Sequence, residues 1–155
     1  MRIRSVWRRL SGRDAATTLD PARTDLIVVV SSFDDAEACS GALARALGWR
    51  APEAALLRHH LRVPAAGREA VIAIAAQDGY SPADDPIRPA TDVPASIADV
   101  GEPTHVDVVL QRVQVLDALH CSQERSRMAG LAQRHEGTAL GWDALQPTGS
   151  GDAAR

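Results

Sequence analysis

The chain has 155 residues and an apolar share of 45%, enough for one domain of ordinary size with its own core, plus tails. Its formal charge of −3 divides unevenly: residues 1–13 hold five arginines and no acid, which leaves 12 basic against 20 acidic side chains elsewhere. A main body that acidic is a poor dock for nucleic acid and a better one for a basic protein partner, and two cysteines, Cys39 and Cys121, are too few for a disulfide scaffold.

Residues 1–13 place Ile3, Val6, Trp7 and Leu10 on one helical face, with Arg8 and Arg9 among the basic residues around it. Such a segment lies on an anionic membrane or in a partner's groove, or it stays a frayed tail, since so short a helix barely holds by itself. It lacks the apolar stretch and cleavage site of a secretory signal. No later window has the roughly 18 apolar residues of a membrane span, so a cytoplasmic protein with free thiols is expected. Residues 11–24 read as linker, closing a first segment of 1–24.

From residue 25 the pattern becomes that of a folded domain, extending to 146. Leu26, Ile27, Val28, Val29 and Val30 form a mostly β-branched run, which predicts a buried strand. Ser32 and Asp35 have the spacing of a capping box, predicting a helix to about Leu47 with Gly48 just beyond its end. Its expected buried stripe is Ala36, Cys39, Leu43, Ala46 and Leu47. Residues 55–63 then alternate: Ala55, Leu57, His59, Leu61 and Val63 on one side, Leu56, Arg58, His60 and Arg62 on the other. Period two over nine residues predicts a half-buried strand. Pro64–Glu69 reads as a hairpin loop leading to a further strand at 70–76, around Val71, Ile72 and Ile74.

His59 and His60 invite a metal reading, but neighbours on a strand face opposite ways and no acid or cysteine stands at a ligand spacing. They are read as structural, with His59 packed among aliphatics and His60 solvated. No cofactor and no metal are expected. Residues 78–103 hold five prolines and six acids against Arg88 alone, which predicts a mobile acidic loop. Its Asp84–Asp85 pair is a candidate contact for a basic partner.

Order returns with a strand at 105–115. Asp117 is placed to cap a helix to about His135, with Cys121, Met128, Leu131 and Ala132 inward. His120 and Glu124 read as an exposed pair one turn apart. Gly137 ends that helix, a short strand occupies 138–145 with Gly141-Trp142 inside it, and 147–155 read as a disordered tail. The sum is an α+β fold: a ferredoxin-like sandwich, with a mainly antiparallel sheet of four or five strands and two helices on one face.

The last third resembles the ribonuclease E inhibitor family, also called regulator of ribonuclease activity B. The resemblance rests on the helix containing Gln123-Glu124-Arg125-Ser126-Arg127-Met128-Ala129-Gly130-Leu131-Ala132, on His135-Glu136-Gly137, and on Gly141-Trp142-Asp143. The strand and helix at 25–48 resemble the family's first β-α unit. Family members carry Tyr-Asp-Gly-Trp on the last strand; here Ala139 and Leu140 replace the Tyr-Asp part. The resemblance implies a ferredoxin-like domain that binds the endoribonuclease, ribonuclease E/G, and lowers its activity without chemistry of its own. Trp142 and Asp143 are then candidate partner contacts; the other reading of Trp142 is that it closes one edge of the core.

Two further functions stand beside that regulator. One is a small-molecule-binding domain or small enzyme using His59, His60 or His120 with a nearby acid. It becomes attractive only if two of these side chains converge in a deep pocket, and the regulator reading fails if ionisable groups of the 55–63 strand and the 118–135 helix meet in a dry cleft as a reaction centre. The other is a membrane-surface factor held by the Trp7 face.

Overall fold

The structure, a computed structural model, describes residues 18–83 and 104–149. The basic segment with Trp7, Arg8, Arg9 and Leu10, and the Asp84–Asp85 pair, lie outside those residues. Five strands form one antiparallel sheet: β1 (Leu26–Ser32), β2 (Ala54–Pro64), β3 (Ser81–Pro82), β4 (His105–Val115) and β5 (Thr138–Pro147), in the order β1-β5-β2-β4-β3. Helices α1 (Cys39–Arg45), α2 (Arg68–Ala76) and α3 (Ala118–Arg134) complete a ferredoxin-like α+β sandwich. Both β-α-β units are split. β5 runs between β1 and β2, and β2 runs between β4 and β5. The long β2 therefore sits at the middle of the sheet, paired on both edges over most of its length.

The alternation along β2 decides the layers. Ala55, Leu57, Leu61 and Val63 face the helices, joined by Val108 and Leu110 of β4, Trp142 and Ala144 of β5 and Val30 of β1. Against them α1 packs Cys39, Ala42 and Leu43, α2 packs Val71 and Ala75, and α3 packs Cys121, Met128, Leu131 and Ala132. The inward stripe of α3 is the expected one, extended by Glu124. Asp117 caps this helix: its Oδ1 accepts from the His120 amide at 2.8 Å. At the other end Glu136 takes a left-handed conformation (φ 58°), and the Gly137 amide bonds back to the Ala132 carbonyl. Among the described residues no helix is long and apolar enough to cross a membrane.

Several expectations are corrected. Residues 70–76 are helix, not strand: α2 follows a short 3₁₀ turn at Ala65–Gly67, where a hairpin loop was expected. The β-branched run suggested a strand, but burying Val71 and Ala75 one turn apart, with alanine at three of the other seven places, satisfies the core as a helix. Among the described residues three helices, rather than two, therefore cover the face. α1 is also shorter than its pattern. Ser32 stays in β1, so the Ser32–Asp35 capping box does not form, and Ala38 precedes the helix with no side-chain cap. Asp34 instead holds the turn by accepting from the Ala36 amide at 2.9 Å. The helix ends at Arg45, short of Gly48, and Leu47 is wholly exposed.

Within the expected loop, residues 78–83 are ordered. Gly79 adopts φ 83°, a conformation that suits glycine, and so turns Tyr80 into the core, where it is 3% exposed. At the C-terminal side β5 runs on to Pro147, and the Thr148 amide bonds the Asp25 carbonyl.

Candidate functional site

Because successive side chains on a strand point to opposite faces, the run Arg58-His59-His60 sends chemistry to both sides of the sheet. On the face away from the helices, Arg58 stands directly opposite Asp143 of β5. Its Nε and Nη2 donate to Asp143 Oδ1 and Oδ2, each at 2.6 Å, and both side chains are almost fully buried. His60 Nε2 lies 2.9 Å from the same Oδ2. Phe33 covers the imidazole edge-on, 5.1 Å between ring centres. Gly141, opposite His60, makes that cover possible. A Cβ there would come within 2.4 Å of the Phe33 ring and 2.6 Å of the Ser32 carbonyl. Burial by itself would push the Asp143 carboxyl up; the hydrogen bonds from His60 and Arg58 outweigh it and hold the carboxyl below the usual range.

Three expectations change here. His60 is not solvated, because the buried Asp143 draws it in. Asp143 is 1% exposed and committed to Arg58 and His60, so it offers nothing to a partner. Trp142 is completely buried among Val30, Leu57 and Leu116; of its two readings, core closure holds and surface anchorage does not. In a core with so few aromatics, one large ring fills the space between sheet, α1 and α3.

On the helix-facing side a second polar group forms around α3. Tyr80 donates its hydroxyl to Glu124 Oε2 at 2.6 Å. Arg112 of β4 reaches Glu124 Oε1 at 3.3 Å and lies over the Tyr80 ring, 4.5 Å from its centre. Burial raises the Tyr80 hydroxyl's pKa strongly, and the bond to Glu124 adds to it. For Glu124 burial acts upward, but Tyr80, Arg112 and Arg127 together hold the carboxyl down. The expected exposed pair His120–Glu124 is thus divided. Glu124 turns inward, while His120 stays exposed and bonds Asp117 Oδ2 at 2.6 Å.

His59 stands beside this group, its ring 5.8 Å from that of Tyr80. It is 2% exposed, and burial lowers its pKa to about 4, so the imidazole is neutral near pH 7. Its Nε2 has no hydrogen-bond partner. The residue paired with it on β5 is Trp142, whose Nε1 is also buried without a partner. Each unsatisfied buried polar atom costs about 1–3 kcal/mol, so two adjacent ones are a departure from ordinary packing.

Against His59 is a cavity of about 370 Å³ between α3 and the first half of β5. His59, Met128, Gln133, Ala139, Gly141 and Arg125 contribute to its wall. The register opens it: His60 pairs Gly141 while Leu61 pairs Ala139, leaving Leu140 as the extra residue of a bulge. Arg125 is held at the rim by the carbonyls of Glu37 and Asp34, at 2.5 and 3.1 Å. The nearest carboxylate across from it, Asp35, is 3.9 Å away and 93% exposed.

The three histidines proposed as chemical groups do not converge. His59 faces the helices, His60 the opposite side, and His120 the solvent. Groups from β2 and α3 do meet, with His59 beside the Tyr80–Glu124 pair, but the carboxylate there is already taken by Tyr80 and Arg112. Among the described residues no three His, Cys, Asp or Glu side chains gather as metal ligands. Cys39 and Cys121 are buried, and burial raises the Cys121 pKa far above the usual thiol range, so that thiol is a poor nucleophile. Sequence reasoning missed the Arg58–Asp143 pair, the Tyr80–Glu124 pair and Arg125. Arg58 and His60 sharing one strand face was the only available signal. Comparison of the chain with family models, curated proteins and solved structures finds no match.

Proposed function

We propose that this chain is a non-catalytic, protein-binding regulator of the ribonuclease E inhibitor kind, docking on a basic partner such as ribonuclease E/G. The observation that carries this reading is the commitment of the buried acids. Asp143 is saturated by Arg58 and His60, and Glu124 by Tyr80 and Arg112, so each holds the fold together and neither stands ready to take a substrate proton. The residues behind the resemblance also have a structural reason to be there. Gly141 admits Phe33, Trp142 fills the core, and a Cβ at Gly137 would lie 2.4 Å from the Arg62 carbonyl. The Ala139 and Leu140 positions, where the family's Tyr-Asp is replaced, fall on the bulge and the cavity wall instead. The acidic excess of the main body suits a basic partner surface.

The test uses the full chain, immobilised, with cell extract and then with purified ribonuclease E. Recovery of the nuclease, together with slowed RNA cleavage in proportion to added chain, is the expected result. An unchanged cleavage rate with no nuclease recovered overturns the proposal. A second reading, peripheral membrane attachment through residues 1–13, rests on the sequence pattern around Trp7 and is read by vesicle co-sedimentation with and without that segment.

A further inference from the structure

We propose that the cavity between α3 and the bulged start of β5 is a binding site for a small organic carboxylate with a short apolar body. Three features point to a ligand. The space of about 370 Å³ falls at the small end of the range used for small molecules. One wall carries His59, 2% exposed with Nε2 unpartnered; its register neighbour Trp142, outside the cavity lining, holds another buried nitrogen with no partner. Buried polar atoms are nearly always paired, so an orphaned imidazole nitrogen against a cavity marks a group whose partner comes from outside the chain.

The charge at the rim selects the ligand class. Arg125 is the cation there, and the carbonyl oxygens of Glu37 and Asp34 hold its guanidinium without neutralising it. Asp35 lines the same cavity, but at 3.9 Å and 93% exposed it is screened by solvent and neutralises the guanidinium only weakly. A fixed, incompletely compensated guanidinium favours a carboxylate, which it binds with charge-assisted hydrogen bonds. Met128, Ala129 and Ala139 give the wall an apolar part beside the polar Gln133 and Thr138, which suits a short hydrocarbon or ring. A neutral imidazole on the wall tolerates either a donor or an acceptor on that body.

The experiment is an NMR titration of the full chain with benzoate and, separately, with benzamide, its uncharged analogue. The readouts are the His59 ring protons and the Trp142 indole N–H. Benzoate is expected to shift both saturably at millimolar concentration, and benzamide at least about tenfold more weakly, the difference a charge-assisted contact supplies. Arg125→Gln should remove that preference without altering the spectrum of the core. Ala129 is exposed on the cavity wall, so Ala129→Phe fills the site without disturbing the sheet, and it should abolish the shifts. The proposal is overturned if benzoate leaves His59 and Trp142 unmoved, or if the shifts persist in Ala129→Phe. Equal binding of benzoate and benzamide overturns the carboxylate assignment.

Discussion

Arg58 and Asp143 lie on one side of the sheet, and His59 and Trp142, their neighbours in sequence, lie on the other. The first pair is a closed system, each nitrogen and oxygen in contact meeting a partner within 2.6 Å. The second pair is open: each carries a buried nitrogen with no partner, and His59 borders a cavity. Both pairs are equally well buried. The difference teaches that burial does not tell a structural polar group from one kept for a ligand; what separates them is whether the fold itself completes their hydrogen bonds.

The largest effect should come from breaking the closed side. Asp143→Ala strands a buried guanidinium, and an expected loss of about 3–5 kcal/mol should appear in chemical denaturation. Replacing both partners, Arg58→Met with Asp143→Leu, should recover most of that loss, since no charge is then left alone. If the single and double variants are equally unstable, the pair is not the self-contained unit described here.

Acid should separate the two sides by pH window. The folded-state pKa of His59, about 4, lies below its ordinary 6.5. The unfolded chain therefore binds the extra proton first, and stability falls as pH drops from about 6.5 toward 4. A shift of that size corresponds to roughly 3 kcal/mol. Asp143 is also depressed, from 3.8. Its contribution is present above that value and is lost as pH falls further, through its folded-state pKa. Stability against pH should thus descend in two stages, and His59→Gln should remove the upper stage alone.

Next in size is Tyr80→Phe, which deletes the hydroxyl bonded to Glu124 and keeps the ring under Arg112. It should cost about 2 kcal/mol by denaturation and should raise the apparent pKa of Glu124, since a hydrogen bond to the charged form is lost. The smallest effect belongs to a site outside both groups. Asp117→Ala removes the cap of α3 and should lower stability by about 1 kcal/mol, leaving the upper, His59 stage of the acid profile unchanged.

Period-two alternation at 55–63 and 105–115, the Asp117 cap and the inward stripe of the last helix were all legible, because each depends on residues within a turn or two of one another. The pattern at 70–76 was not. Val71, Ile72 and Ile74 are compatible with either period, and only packing against β2, β4 and α3 makes the helix the better burial. The candidate site was less legible still. Glu124 and Tyr80 are 44 residues apart and Arg58 and Asp143 are 85 apart, and no local spacing connects them.

The amino-acid sequence by itself determined the fold class, the existence of the 55–63 strand and the acidic character of the main body, since apolar periodicity and net charge are properties of the chain before it folds. Tertiary structure alone decided which polar residues face each other. The order β1-β5-β2-β4-β3 places the last strand beside the second, and that neighbourhood closes Arg58 on Asp143 while leaving His59 beside Trp142 with bonds unmade.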